Sequence, residues 1–215
     1  MKRIISIVMI LGLLTMAFCS CKLSGPTVIS SDGNSYNLVT DKDGQRVSDA
    51  DGNLIVAETD VDGNSVTKVL EDNYLVVIDD EVIAPAYEFE IPEDFEIKSS
   101  GIDPLLENKQ GTIQQNITDK TQFVTDFDDY VDDTFDAYKN VGETSEEIET
   151  VEINGYEYKR FSINMQDDEG TPITAYCYFV KTENGKTLLI TLTSKDGGLN
   201  SVSDADNYVA NINLN

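Results

Sequence analysis

Asp-Gly pairs recur at Asp32-Gly33, Asp43-Gly44, Asp51-Gly52 and Asp62-Gly63, spaced by 11, 8 and 11 residues, and an Asn-Gly pair stands at Asn154-Gly155. Each is a hairpin signal, because Gly accepts positive φ without steric cost and Asp or Asn tolerates it. The flanking runs YNLVT, NLIVAE, SVTKVL and YLVVI are rich in residues that favour extended chain. Residues 32–85 therefore read as a small β-rich repeat segment of short strands. Pro85 separates it from residues 86–215, a stretch of ordinary domain size.

That second stretch mixes the two hydrophobic periods. YEFEIP (87–92) alternates like a strand, and GTIQQNIT (111–118) reads as a second. Thr121 to Asn140 reads as a helix, with Phe123, Phe127, Val131 and Phe135 every four residues and Asp119 with Gln122 as its capping box. Strands then follow around Asn154-Gly155, from Ile173 to Val180 and from Thr187 to Thr193. A short helix capped by Ser201 or Ser203 ends the chain, with Val202, Ala205, Val209 and Ile212 on one face. Tight turns force antiparallel pairing, and two amphipathic helices need a sheet face to cover. The expected fold is α+β, an antiparallel sheet covered by two helices.

This order, with Tyr87 to Pro92 and Phe95 as opening strand and turn, VEINGYEY (151–158) as hairpin entry and LITLTS (189–194) before the last helix, resembles the PsbP/Mog-type fold found in many bacterial lipoproteins. The resemblance spans about 130 residues. Members of that fold do unrelated things, so it implies architecture and no activity, cofactor or site residue.

The N-terminus reads MKRIISIVMILGLLTMAFCSC, with Lys2 and Arg3, an apolar run from Ile4 to Leu14, and small residues ending in cysteine. The run is short for a membrane span and fits an export signal. It resembles a bacterial lipoprotein signal, which implies cleavage after residue 20 and diacylglycerol on Cys21. Cys21 follows small Ser20, whereas Cys19 follows bulky Phe18. Two acyl chains, at about 0.8 kcal/mol for each buried methylene, hold such a protein on its membrane. Residues 21–31 then form a linker, and the expected location is extracytoplasmic, at the cell surface and lipid-anchored. Removing Cys19 and acylating Cys21 leaves Cys177 alone, with no disulfide partner.

Composition narrows the chemistry. The 215 residues include 40 Asp+Glu against 15 Lys+Arg, a net charge of -25, and no His or Trp. Without His there is no imidazole base, catalytic triad or His-ligated zinc. A field that negative repels polyphosphate, so nucleic acid is excluded as a partner. The expected partners are the membrane, through the anchor, and a protein or small ligand.

Two sets of residues remain as candidates. Asp49, Asp51, Glu58, Asp60 and Asp62 resemble pieces of a Ca loop, so Ca is the one cofactor considered. With Gly52 at loop position 6, Asp49, Asp51 and Glu58 fall at 3, 5 and 12, but Val47 falls at 1. With Gly63 there, Glu58, Asp60 and Asp62 fall at 1, 3 and 5, but Val69 falls at 12. Hairpin turns account for the same residues. Tyr156, Tyr158, Tyr176 and Tyr178 alternate along neighbouring strands and are the candidate binding face, or else core packing. A carboxylate-based hydrolase is the enzymatic alternative, although nothing singles out two of the acids. The leading reading is a noncatalytic, lipid-anchored binding protein.

Overall fold

The computed structural model describes residues 27–215, except 32, 44, 51, 52, 71–73, 79, 99 and 100. The expected signal peptide, Cys21, most of the linker and Asp51 lie outside the described residues.

One turn recurs along the chain. Ser30, Asp41, Asp49, Asp60, Asp167 and Thr182 each donate a backbone N–H to the carbonyl four residues on, at 2.8–3.1 Å, closing a three-residue loop. In the described cases the third loop residue is a glycine at positive φ: Gly33 (79°), Gly63 (85°), Gly170 (81°) and Gly185 (81°). The glycines of Asp32-Gly33 and Asp62-Gly63 thus supply the left-handed residue of a three-residue hairpin rather than half of a two-residue turn. The opening Asp caps its own loop. Asp60 Oδ1 accepts from the backbone N–H groups of Asp62 (2.9 Å) and Asn64 (2.8 Å), and Asp41 and Asp167 do the same. Asn154-Gly155 is different. Both residues have positive φ (52° and 84°), and Ile153 pairs with Tyr156 across them, a two-residue primed turn.

These turns join strands into two antiparallel sheets. The first contains β1 (Thr27–Ser30), β2 (Ser35–Leu38), β3 (Leu54–Thr59), β4 (Ser65–Leu70), β5 (Tyr74–Ile78), β6 (Glu81–Ala84), β7 (Tyr87–Glu90) and the last strand, β16 (Asn213–Leu214). Its order is β16-β7-β6-β5-β1-β2-β3-β4. The second contains β8 (Phe95–Ile97), β9 (Leu105–Asn108), β10 (Ile113–Asp119), β11 (Glu143–Thr144), β12 (Glu149–Ile153), β13 (Tyr156–Gln166), β14 (Pro172–Lys181) and β15 (Thr187–Lys195). Its order is β11-β13-β14-β15-β10-β9-β8, with β12 also on the free edge of β13. Two helices complete the fold, α1 (Phe127–Tyr138) and α2 (Val202–Ala210).

This overturns the expected α+β fold of one antiparallel sheet covered by two helices. The described residues form a β-rich fold of sixteen strands with only two helices, of 12 and 9 residues. The two helices do not share a face. On β13 and β14, Phe161, Cys177 and Phe179 cluster with Val131 and Phe135 of α1. Tyr158, Tyr178 and Val180, of opposite parity, cluster with Ala205 and Val209 of α2. What α2 leaves uncovered is filled by the first sheet, through Ile29, Leu75, Val82 and Ala84 in the same cluster. The opening strand expected for the second domain, β7, pairs with β6 and β16 of the first sheet instead. Pro85 lies in the turn of the β6–β7 hairpin.

The first helix is also shorter than its spacing indicated. Asp126 accepts the backbone N–H of Asp129 at 3.1 Å and starts α1 at Phe127. Thr121–Phe123 forms a separate 3-10 turn, after which Val124 is extended (φ -108°, ψ 110°). Phe123 is therefore outside the stripe and 76% exposed. A cap two residues after the break at Val124 outweighed a four-residue repeat.

Candidate functional site

The residues singled out in the sequence separate into two places. Tyr156, Tyr158, Tyr176 and Tyr178 do share one sheet face, but it is the face under α2 and the first sheet. Tyr158 and Tyr178 are fully buried, ring on ring in an edge arrangement at 6.3 Å. The Tyr178 hydroxyl donates to Asp206 of α2 at 2.8 Å, and the Tyr156 hydroxyl to the carbonyl of Leu214 at 3.3 Å. Tyr176 lies half-buried beside Arg160 and Val202. Arg160 bridges Glu149 of β12 and Asp206 of α2, locking the helix to the sheet edge.

The acidic candidates lie at the hairpin tips of the first sheet. Asp49 is occupied by Asn53, whose backbone N–H and side-chain amide donate at 2.9 and 3.1 Å. Asp60 accepts three such bonds from its own loop, and the backbone N–H of Asn64 above all holds its carboxyl below the usual range. Glu58 and Asp62 are exposed. Among the described residues, no group of three or more acidic or cysteine side chains is close enough together to hold a metal ion.

Two carboxylates do meet in a crevice between the sheets. Asp103 and Asp119 line it with Tyr87, but it encloses about 20 Å³, water-sized and too small for a sugar ring. Burial raises the Asp103 carboxyl, the Lys120 charge and the backbone N–H of Asp119 oppose the rise, and the Asp119 charge adds the smallest push upward. Asp119 is committed to the Thr121 N–H (2.8 Å) and lies 3.8 Å from Lys186. Cys177 is equally unsuited to chemistry, since burial pushes its thiol up to about 12.

The candidate site is elsewhere, on the α1 face of the second sheet. The helix covers Phe161, Cys177 and Phe179, and the sheet continues beyond it across β15, β10 and β9. Register places Gln114, Thr193 and Ala175 side by side in one row, and Asn116, Thr191 and Cys177 in the next. Between these rows and the C-terminal end of α1 lies a groove of about 140 Å³. Leu105, Leu189, Ala175 and Ile173 give it apolar surface. Asn116, Thr118, Thr191 and Thr193 give it amides and hydroxyls, and Lys120 and Tyr138 complete it. Lys120 lies at one end, beyond the Asp119–Leu188 pair, and Met165 and Ile173 at the other.

Part of that lining is fixed internally. Thr118 Oγ1 donates to Asn116 Oδ1 at 2.8 Å, and Asn116 Nδ2 to the carbonyl of Pro104 at 3.3 Å. Gln114 Nε2 donates to Glu107 at 2.7 Å. Among the described residues, the Lys120 ammonium makes no hydrogen bond or ion pair and the Tyr138 hydroxyl no hydrogen bond. Burial raises the Tyr138 phenol well above its ordinary value, so it stays protonated and able to donate. The sequence held a trace of this site. In Gln114, Asn116 and Thr118 the polar residues alternate, as do Thr191 and Thr193, which marks a sheet face not fully buried. Only the short α1 reveals that those faces are left open together.

The sequence matches no family model and no curated protein. Among solved structures it matches the crystal structure of a protein of unknown function from Pseudomonas aeruginosa described as a candidate regulator. That match has 19% identity over 57% of this chain and 86% of the other, with a TM-score of 0.38. A likeness that slight assigns neither a fold nor a function.

Proposed function

We propose that this chain is a noncatalytic binding protein, exported and held at the outer side of a bacterial membrane by lipid on Cys21, with its ligand site in the groove beside α1. The groove carries the binding reading. It offers apolar walls with convergent amide, hydroxyl and ammonium groups, the usual make-up of a small-molecule site. It holds no carboxylate or thiol among its lining residues, and the chain has no His to act as base. The anchor rests on the charged, apolar and small-residue succession of residues 1–21. The acidic body favours standing off an anionic membrane surface, as a tethered protein does.

Two measurements test the reading. Cells fed a clickable palmitate should label the protein, and Cys21→Ala should abolish the label; label on the variant, or none on the parent, overturns the anchor. A screen of small molecules by amide shifts should move Ala175, Thr191 and Thr193 together. Thr193→Trp, which fills the groove from its half-exposed rim, should remove the response.

A further inference from the structure

We infer that the groove takes a small organic monoanion with an apolar body about the size of one aromatic ring, its charge on the Lys120 ammonium and its body against Leu189 and the Tyr138 ring. This rests on the binding reading above and names the ligand class.

Size comes first. The groove holds about 140 Å³, close to the ~150 Å³ of an apolar cavity that accepts benzene. A ring or a chain of about six carbons fits, and a long acyl chain does not. Charge comes second. In a chain with 40 acidic against 15 basic residues, the one charged side chain lining the groove is a lysine. The acids nearest to it are largely committed. Asp119 faces Lys186 and the Thr121 N–H. Asp103 feels the Lys120 charge but forms no ion pair with it. The ammonium is therefore available to an incoming anion. The net charge of the body does not cancel this, because exposed acids more than about 8 Å away are screened at physiological salt, whereas Lys120 acts at contact. Third, the unengaged Tyr138 hydroxyl and the Thr193 side chain offer hydrogen bonds further along the groove.

The test uses three probes of one shape: 3-phenylpropanoate, 3-phenylpropan-1-ol and 3-phenylpropan-1-amine. Each is titrated into the full chain held in phosphatidylcholine nanodiscs, and the amide shifts of Ala175, Thr191 and Thr193 are followed. The anion should bind about tenfold more tightly than either analogue, the effect of one charge-assisted contact at a half-exposed site. Lys120→Met should erase that preference while leaving the alcohol within twofold of its parent affinity, and Lys120→Arg should restore it. An alcohol or amine that binds as tightly as the anion, or an anion affinity unchanged in Lys120→Met, overturns the ligand class and leaves the groove as a site. No shift at these amides with any probe at millimolar concentration, or shifts that persist in Thr193→Trp, overturns the groove itself.

Discussion

The two sheets solve the same problem with different materials. The first is assembled from strands of two to six residues whose turns are built into the local sequence, and its own cluster on the outer face is small: Val28, Tyr36, Leu54, Val56, Leu70, Val76 and Ile83. The second has central strands of 9–11 residues, a helix on each face, and the largest buried side chains, among them Tyr158, Tyr178 and Phe179. Local turn chemistry can define hairpins, but it does not supply enough apolar burial to hold a sheet of short strands. The first sheet obtains the remainder by placing Ile29, Leu75 and Val82 into the core of the second, and the chain's last residues close the joint. Asn213 and Leu214 pair with β7, and the Asn215 N–H donates to the carbonyl of Ala86 at 3.0 Å. The second sheet thus keeps one face for the partner sheet and leaves part of the other open for the groove.

If this dependence is real, a cavity in the shared core must damage both sheets. Ile190 is fully buried in β15, in the cluster that contains Leu75 and Val82. Ile190→Ala should cost about 2–5 kcal/mol, from lost burial and an incompletely collapsed cavity. That is a large share of the roughly 5–15 kcal/mol available to a domain. Urea unfolding should remain a single transition by near-ultraviolet dichroism of the tyrosines and by far-ultraviolet dichroism alike. Two separated transitions, with only one displaced by the substitution, would make the sheets independent and break the comparison.

A smaller effect sharpens it. Gly63 in the first sheet and Gly155 in the second have nearly the same positive φ, 85° and 84°, and a methyl group added at either meets nothing within 4 Å. Gly63→Ala and Gly155→Ala therefore impose the same backbone strain, about 1–2 kcal/mol, without any difference in packing. If the sheets unfold as one unit, both variants should lose the same global stability. If the β3–β4 hairpin opens by itself, Gly63→Ala should accelerate hydrogen exchange only in β3 and β4, and its global stability should stay at the parent value.

The same division explains what could be read from the chain. Asn154-Gly155 and the strands on either side of it were legible because two consecutive residues fix the turn and the side-chain period of two fixes the faces. The three-residue loops were legible as hairpins but not by type, since Asp-Gly serves both. Phe123 misled because a four-residue repeat continues across Val124, where the Asp126 cap restarts the helix. The partner of β7 was hidden for another reason: its ladder runs to β6 on one side and to residues more than 120 positions later on the other. The four tyrosines show the limit most directly. Alternation places them on one face, but what covers that face depends on α2 and on a sheet made from the other half of the chain. The groove is hidden in the same way, since it joins side chains from β9, β10, β13, β14 and β15 with the end of α1.

The smallest predicted effect compares one turn in two settings. Asp60 and Asp167 open the same three-residue loop, and each carboxylate accepts two backbone N–H groups from it. Only Asp167 also has a lysine, with Lys195 at 2.8 Å. That ammonium, ahead of the Thr171 N–H, holds the Asp167 carboxyl at about 2, below its ordinary 3.8. The folded protein therefore binds this proton less readily than the unfolded chain does, so the stabilisation is complete above pH 4 and is lost as pH falls from about 4 to about 2. Both groups are only half-buried, so solvent screening keeps the effect modest. Asp167→Asn should flatten the decline of melting temperature across that interval, while Asp60→Asn should flatten it less, because neutral N–H groups, the backbone N–H of Asn64 above all, and no ammonium hold the Asp60 carboxyl down. An acid limb for Asp167→Asn parallel to that of the parent would show that Lys195 adds nothing to the turn, and that the second sheet gains no stability from the one charged partner its hairpin has and the Asp60 hairpin of the first sheet lacks.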